Sequence, residues 1–517
     1  MTDVPSTAPP AVTSRPTGIK PKTAFSVFTL AILNIVAVVS LRGLPAEAEY
    51  GLGSIFYFVF AGVLFLIPVA LVAAELAASL PQKGGVYRWV GEAFGARLGF
   101  LAIWLLWIQN TIWFPTVLTF AAVSVAFIGL DQLRDTALAG DKLYVLAVCL
   151  VVYWTATLVN LRGLKAGTAL SKWGGIVGTL IPAAILIIFG LVWLVLGHHI
   201  AMDISAKSLV PDFSKIGNLV LATSIFLFFA GMEMSAVHVK DIDNPTKNYP
   251  RAIFGASFVA LVVYILGTLA IGLIVPKSSL NLTQSLLVAF DSYLKAYGLG
   301  FLAPVIAIML GLGVLAGVST WIAGPSKGLL AVGQSGLLPP FMQKTNKAGI
   351  QQSILLIQGG IVTVLVLLFV VLPSVQSVYQ VLSQLTVTLY LIMYMLMFAA
   401  AISLRVRQPN LPRPYRVPGG KIGLFIIAGL GLLSSLLAFG LSFFPPSQIK
   451  VGSSATWFAI LIGGNILFVG IPLLIYAMRK PAWKTDQGAD AVEPFSWETT
   501  TAPASAATAS ATSLIKS

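Results

Sequence analysis

The sequence predicts an all-α integral membrane protein with twelve membrane-crossing helices, and three observations lead there. Of its 517 residues 57% are hydrophobic and only 10% charged, with a mean hydropathy of +0.91, whereas a soluble chain carries roughly 25% charge. A bilayer-crossing helix needs about 20 mostly apolar residues, and runs of that kind recur along the chain. The cations, finally, collect in alternate connections between those runs, as the positive-inside rule requires.

The spans are placed near 24–45, 54–79, 98–130, 142–161, 173–197, 217–239, 252–276, 298–325, 353–372, 378–404, 422–444 and 455–478. The third is long enough to tilt or to hold two short segments. Residues 81–97 read as a partly re-entrant connection. Residues 1–23 and 480–517 bracket the spans as tails rich in Pro, Ser, Thr and Ala, a composition that favours disorder. Lys20 and Lys22, an apolar run and Ala46-Glu47-Ala48 together mimic a signal peptide. That run is too long for a typical h-region and Arg42 precedes the supposed cleavage site, so it reads as the first span.

An even number of spans puts both termini on one side. With the termini inside, Lys and Arg divide 24 to 7 between inner and outer segments, and Arg42 alone lies in a span. Both termini are therefore expected in the cytoplasm, with the protein in the inner (cytoplasmic) membrane. The formal charge of +14 is this topology signal, not a nucleic-acid face, which would need clustered cations on a soluble surface. Cys149, the single cysteine, excludes an intramolecular disulfide and a thiol metal site and reads as a small packing residue.

No P-loop, HExxH, GxSxG or His/Cys cluster occurs; GPSKG at 324–328 only resembles a P-loop and closes an apolar span. Twelve spans without an NTPase motif point to a secondary transporter, with no enzyme activity, cofactor or metal expected. Such transporters bind substrate where helices are interrupted near the midplane. Two spans carry that signature. The first reads NIVAVVSLRGLP, with Ser40, Arg42, Gly43 and Pro45. The sixth reads FFAGMEMSA, with Gly231 and Glu233. An acid inside an apolar run is a functional candidate by default.

The stretches AAELAASLPQKGGVYRWV (73–90), PDFSKIG (211–217), GMEMSAVHVKDIDNPTKNYPRA (231–252), GVLAGVSTWIAGPSKG (313–328) and YLIMYMLMF (390–398) occur in an order and spacing specific to one family. PGGK (418–421) and SFFPPSQI (442–449) add to them. On these motifs the chain resembles the amino acid–polyamine–organocation superfamily, and within it the bacterial glutamate/γ-aminobutyrate antiporter family. The resemblance implies a leucine-transporter-like fold. In it, repeats of about 24–197 and 217–404 are inverted copies and helices in 422–478 are additional. Spans 1 and 6 would be discontinuous, with a small amino acid or amine between them.

It also implies site residues. Val39 and Ser40 fall in the unwound part of span 1. Gly231 and Glu233 mark the break of span 6, and Glu233 either serves transport or merely glues helices together. Trp321 corresponds to a gate in span 8, with packing as the alternative. Tyr390 and Tyr394, four residues apart, share one face of span 10 and need hydroxyl partners. Gln109, ahead of Asn110, faces the cavity from span 3.

Three features depart from the family pattern. Arg42 stands where the antiporters have a tyrosine-rich stretch. Its guanidinium suits a carboxylate, whether a substrate's or that of Glu233, Glu47 or Glu49, unless it snorkels to the outer interface. Gly317 replaces an acid carried by glutamate-specific members. The C-terminal tail holds no histidine and nothing like a basic plug. Pro245, Pro250, Asp241 and Asp243 are read as an inner loop. The expected function is exchange of an amino acid for a related amine or acid. Proton-coupled uptake is the alternative, with protons as a further partner, and a channel or non-transporting receptor stands behind both.

Overall fold

The computed structural model describes residues 27–82, 84–162, 173–211, 213–214, 216–233, 244–448, 450–485 and 492–500. Ten helices among them are long and apolar enough to cross a membrane. Set against the twelve expected spans, the two without such a helix are the first and the sixth. The first is split. Helix α1 (Val27–Val38) stops, residues 39–43 leave helical geometry, and a short α2 (Leu44–Ala48) resumes. The sixth runs as a helix over 217–229, called α9 below, with a 3-10 turn at Leu221–Ser224. It ends where Ala230 turns extended and Gly231 takes φ +103°. The remainder of that span and the loop with His238, Asp241 and Asp243 lie outside the described residues.

The unbroken helices are α3 (Gly53–Ser79), α5 (Ala96–Ala126), α7 (Lys142–Arg162), α8 (Trp173–Val195), α10 (Pro245–Ile274), α12 (Ala303–Gln334), α13 (Gln352–Val371), α14 (Val375–Arg407), α15 (Gly420–Ser442) and α16 (Ser454–Ala477). Short helices α4 (Val86–Phe94), α6 (Gln132–Gly140) and α11 (Ser285–Ala296) cover the ends. In α5, 94% of the most apolar stretch is buried, against 22% in α16, so α5 is the central post and α16 faces outward. Since lipid is as apolar as leucine, helices in a bilayer associate through close packing of small residues. Here a Cβ on Gly178 of α8 would sit 2.2 Å from the backbone of Gly313 in α12. That contact tolerates only glycine.

Several boundaries differ from the expectation. Of the two alternatives left open for span 3, a single 31-residue helix is found, ending at Ala126. GPSKG does not end span 8, because α12 continues through Pro325 to Gln334. Pro245 and Pro250 belong to the first turns of α10, not to a loop. Proline is tolerated at 245, the first helical position, because the first amides of a helix have no intrahelical acceptor, whereas Pro250 stands inside the helix and removes one bond of its ladder.

The described part of the C-terminal tail departs most. Residues 481–485 lie against the bundle, with Gln343 Nε2 donating to the Trp483 carbonyl at 2.8 Å. Residues 492–500 pack on α4. The Arg88 guanidinium donates to the carbonyls of Glu493 and Pro494 at 2.8 and 2.7 Å. Phe495 is buried over Gly91, and Ser496 donates its amide and hydroxyl to the Glu92 carboxylate at 3.0 and 2.6 Å. A segment read as disordered from its composition is held by main-chain carbonyls, Ser496 and buried Phe495.

Candidate functional site

The two helix breaks face each other, and one side chain joins them. Tyr264 of α10 is fully buried. Its hydroxyl donates to the carbonyl of Val38 at 2.8 Å and lies 3.2 Å from that of Phe228. These are carbonyls of the last turns of α1 and α9, which an interrupted helix leaves without intrahelical donors. The ring is itself packed between Phe58, Phe228 and Phe229. Gly43, just past the first break, lets the chain approach the second: a Cβ there would meet the Phe228 ring at 2.4 Å. Neither Tyr264 nor this approach was legible in the sequence, where a tyrosine in an apolar run reads as ordinary packing.

At the sixth-span break the geometry is closed around an acid. Glu233 is 2% exposed. One carboxylate oxygen accepts from the Tyr390 hydroxyl at 2.6 Å and the other from Tyr394 at 2.5 Å. The freed amide of Gly231 donates to both the Glu233 carboxylate, at 3.1 Å, and the Tyr394 oxygen, at 2.9 Å. The tyrosine rings stack with centroids 4.8 Å apart, which follows from their i, i+4 spacing. The donors to Glu233 come from its own break and from α14. The turn at Gly231 leaves an amide with no helical acceptor, and the acid two residues on fills that role.

Trp321 of α12 is half-buried beside the same break. A Cβ on Gly231 would sit 3.4 Å from its indole. Its ring lies 5.9 Å from that of Trp113, and its carbonyl accepts from the Asn110 amide at 2.8 Å. Gln109 turns its amide back to the Leu106 carbonyl of its own helix at 3.0 Å, so Asn110 is the residue of this pair that touches Trp321. Val39 is buried and Ser40 half-buried in the unwound segment, next to Val38, whose side chain lies 3.9 Å from the same Gly231 position. The structure thus brings Val39, Ser40, Gly231, Glu233, Trp321, Tyr390 and Tyr394 to one place. At Gly317 an added Cβ would meet open space.

Arg42 does not snorkel. It is 8% exposed, donates from Nη1 to the Thr116 hydroxyl at 3.1 Å, and lies 4.9 Å above the Trp113 ring. Tyr379 of α14 is also beside it.

A second acid is buried against α9. Glu47 of α2 is 0% exposed and accepts from the Ser224 hydroxyl of α9 at 2.5 Å. At the predicted inner end Glu75 is clamped bidentately by Arg405, with Arg413 at 3.4 Å and the Val417 amide donating at 2.7 Å. This cluster ties α3 to α14 and to the segment after it.

No metal-binding group of three or more His, Cys, Asp or Glu side chains occurs among the described residues. What the assembled groups can do is hold a small polar molecule between broken helices. Backbone carbonyls, a carboxylate with two phenols, a guanidinium and an indole stand around the two breaks, groups of the kind that bind such a molecule.

Comparison with known proteins fits this geometry. The amino acid permease family model matches residues 25–465. An uncharacterized transporter of Legionella pneumophila is 42% identical over 453 residues, covering 88% of this chain and 96% of that protein. A glutamate/gamma-aminobutyrate antiporter of Lactococcus lactis is 34% identical over 459 residues, 88% of this chain and 90% of its own length. A probable agmatine/putrescine antiporter of the same species is 26% identical over 460 residues, with 88% and 95% covered. The chain belongs to the amino acid permease family and is a multi-pass membrane transporter of the amino acid and amine class.

Proposed function

We propose that this chain exchanges an amino acid for a related amine or acid across the cytoplasmic membrane by alternating access, with both termini in the cytoplasm. Substrate lies between the unwound segments of spans 1 and 6, contacted by Val39, Ser40, Arg42, Gly231, Glu233 and Trp321, with Tyr390 and Tyr394 behind the acid and Gln109 on the far wall. Spans 1–5 and 6–10 act as two inverted repeats that rock about this point. The observation that carries the reading is the pair of breaks facing each other with a buried carboxylate at one of them. A packing role for Glu233 alone would not call for an interrupted helix beside it. The two relatives named as antiporters add weight to exchange over uptake.

Exchange is tested by counterflow in proteoliposomes. Internal amino acid should accelerate entry of labelled amino acid without a pH gradient. Absence of trans-stimulation by every amino acid and amine tested would sink the reading, and dependence on a pH gradient instead would establish proton-coupled uptake. Glu233→Gln should express normally and slow exchange, because an amide cannot accept from both phenols and the Gly231 amide as a carboxylate does. Unchanged exchange by this variant at every pH would remove Glu233 from the transport cycle.

A further inference from the structure

We infer that Glu47 is a proton-binding site: its carboxyl carries a proton while α2 lies against α9 and gives it to water when the two part. The inference rests on the alternating-access reading above and adds a proton as a ligand of one conformation of the cycle.

Counting protons at the contact between α2 and α9 fixes the state of the acid. Ser224 Oγ lies 2.5 Å from Glu47 Oε1 and 2.7 Å from the Leu221 carbonyl. Both are at or below the ordinary length of a full O–H···O bond, and a serine hydroxyl has one proton to donate. Donation to an ionised Glu47 leaves the hydroxyl and the Leu221 carbonyl 2.7 Å apart with no proton between them. A protonated Glu47 serves both contacts: the carboxyl donates to Ser224, and Ser224 donates to Leu221. The surroundings favour the same form. Glu47 is 0% exposed and its Oε2 has no hydrogen-bond partner. Among the described residues no lysine, arginine or histidine pairs with it. An unpartnered oxygen costs far more as half of a buried charge than as a neutral carbonyl.

The ionisable groups on the elements around α2 supply no counter-charge. Tyr50 and Tyr379 stand near Glu47 as phenols, and Arg42 is held by Thr116, Trp113 and Tyr379. Tyr264 of α10 is bound to its two helix-end carbonyls. On α11 Asp291 pairs with Lys295 at 2.7 Å, and Glu49, just past α2, faces Lys277 at 4.0 Å. Ionising Glu47 in place would bury a lone charge, so α2 and α9 stay together only while the proton stays. Parting admits water, where a glutamate ionises at about 4.3, and the proton leaves to solvent. The packed arrangement is therefore favoured at low pH and lost as pH rises. With a single proton involved, the balance between packed and parted moves by up to about tenfold per pH unit. Because α2 follows the break of span 1 and α9 precedes that of span 6, the proton sits where the two interrupted spans meet.

The test reads the infrared carbonyl stretch of protonated carboxylic acids in purified full-length protein in lipid, from about pH 5 to about pH 9, where hydrated glutamates are ionised. Wild type should carry a band at the low end that fades as pH rises. Glu47→Gln should lack it, and Ser224→Ala, which leaves the acid in place, should shift it. No such band in wild type at any pH overturns the inference without any variant having to fold. Matching spectra of wild type and Glu47→Gln overturn it too, as does a band unmoved by Ser224→Ala. A second readout is thiol exposure at Ala46→Cys, where α2 packs with Leu221, in a chain whose Cys149 is buried. Its maleimide labelling rate, divided by the rate with Glu47→Gln added, should climb by up to about tenfold per pH unit. A flat ratio overturns the inference, and a ratio that follows sodium instead of pH gives the site to a metal cation. Counterflow separates this from the exchange reading. Labelling that follows pH without trans-stimulation would discard exchange and keep the proton site, while exchange with a flat labelling ratio would do the reverse.

Discussion

Replacing Tyr264 by phenylalanine removes one oxygen and nothing else, which makes it a clean probe of how the two breaks are joined. The phenol proton is shared by the carbonyls of Val38 and Phe228, at 2.8 and 3.2 Å. Both belong to helix ends, so neither has an intrahelical donor to fall back on. A buried acceptor left without its partner costs about 1–3 kcal/mol. Because a single proton serves both carbonyls, the loss is one such penalty rather than two. The aromatic packing on Phe58, Phe228 and Phe229 is untouched, so the ring itself holds its place. A penalty of that size, if borne mainly by one conformation, shifts the balance between conformations by about 5- to 150-fold. The expected result in proteoliposomes is a fall in maximal exchange rate larger than any change in half-saturating substrate concentration, with a modest drop in melting temperature. The inert variant Tyr264→Phe, with exchange and melting both at wild-type values, would show that the breaks are fixed by other contacts.

Three further outcomes follow from the same geometry. Gly231→Ala forces a side chain onto φ +103°, at about 1–3 kcal/mol of backbone strain, while its Cβ would only touch Trp321 at 3.4 Å. Counterflow should fall steeply with folding largely retained, and normal counterflow would mean the break tolerates another conformation. Arg405→Ala leaves the buried Glu75 with Arg413 and one amide, and should cost about 3 kcal/mol. Exchanging both Glu75 and Arg405 for leucine should recover much of the lost melting temperature, and equal losses in single and double variants would refute the account. Cysteines placed at Glu92 and Ser496 should cross-link in a chain whose native Cys149 is buried. Adding Phe495→Ala should abolish the cross-link, and an undiminished yield would show that the ring over Gly91 does not hold the segment.

Much of the fold was legible because a bilayer forces the sequence to declare it. Every backbone polar group in hydrocarbon must be satisfied within its own helix, so spans appear as long apolar runs wherever the helix is intact. The breaks were legible for the complementary reason: Gly231 with Glu233, and Arg42-Gly43 before Pro45, are residues that an unbroken apolar helix has no use for. What the sequence hid were contacts made by ordinary-looking residues. Pro250 reads as loop until α10 is seen to begin at Pro245. Residues 492–500 read as tail because their docking on α4 uses main-chain carbonyls, a serine and one phenylalanine, none of which leaves a compositional mark.

The site divides in the same way, and the division explains which alternatives could be closed. Tyr390 and Tyr394 were placed together by helical spacing alone, but their partner could not be, since Glu233 lies on another span. For Arg42 the sequence left four possible carboxylates and a route to the interface. Burial closes the interface, and the Tyr390–Tyr394, Ser224 and Lys277 contacts engage three of the acids. The guanidinium is met instead by the Thr116 hydroxyl, the Tyr379 phenol and the face of Trp113. A charge held by neutral side chains is invisible in a sequence, where an arginine among acids reads as half of an ion pair. It is seen only when each of those acids is found engaged elsewhere.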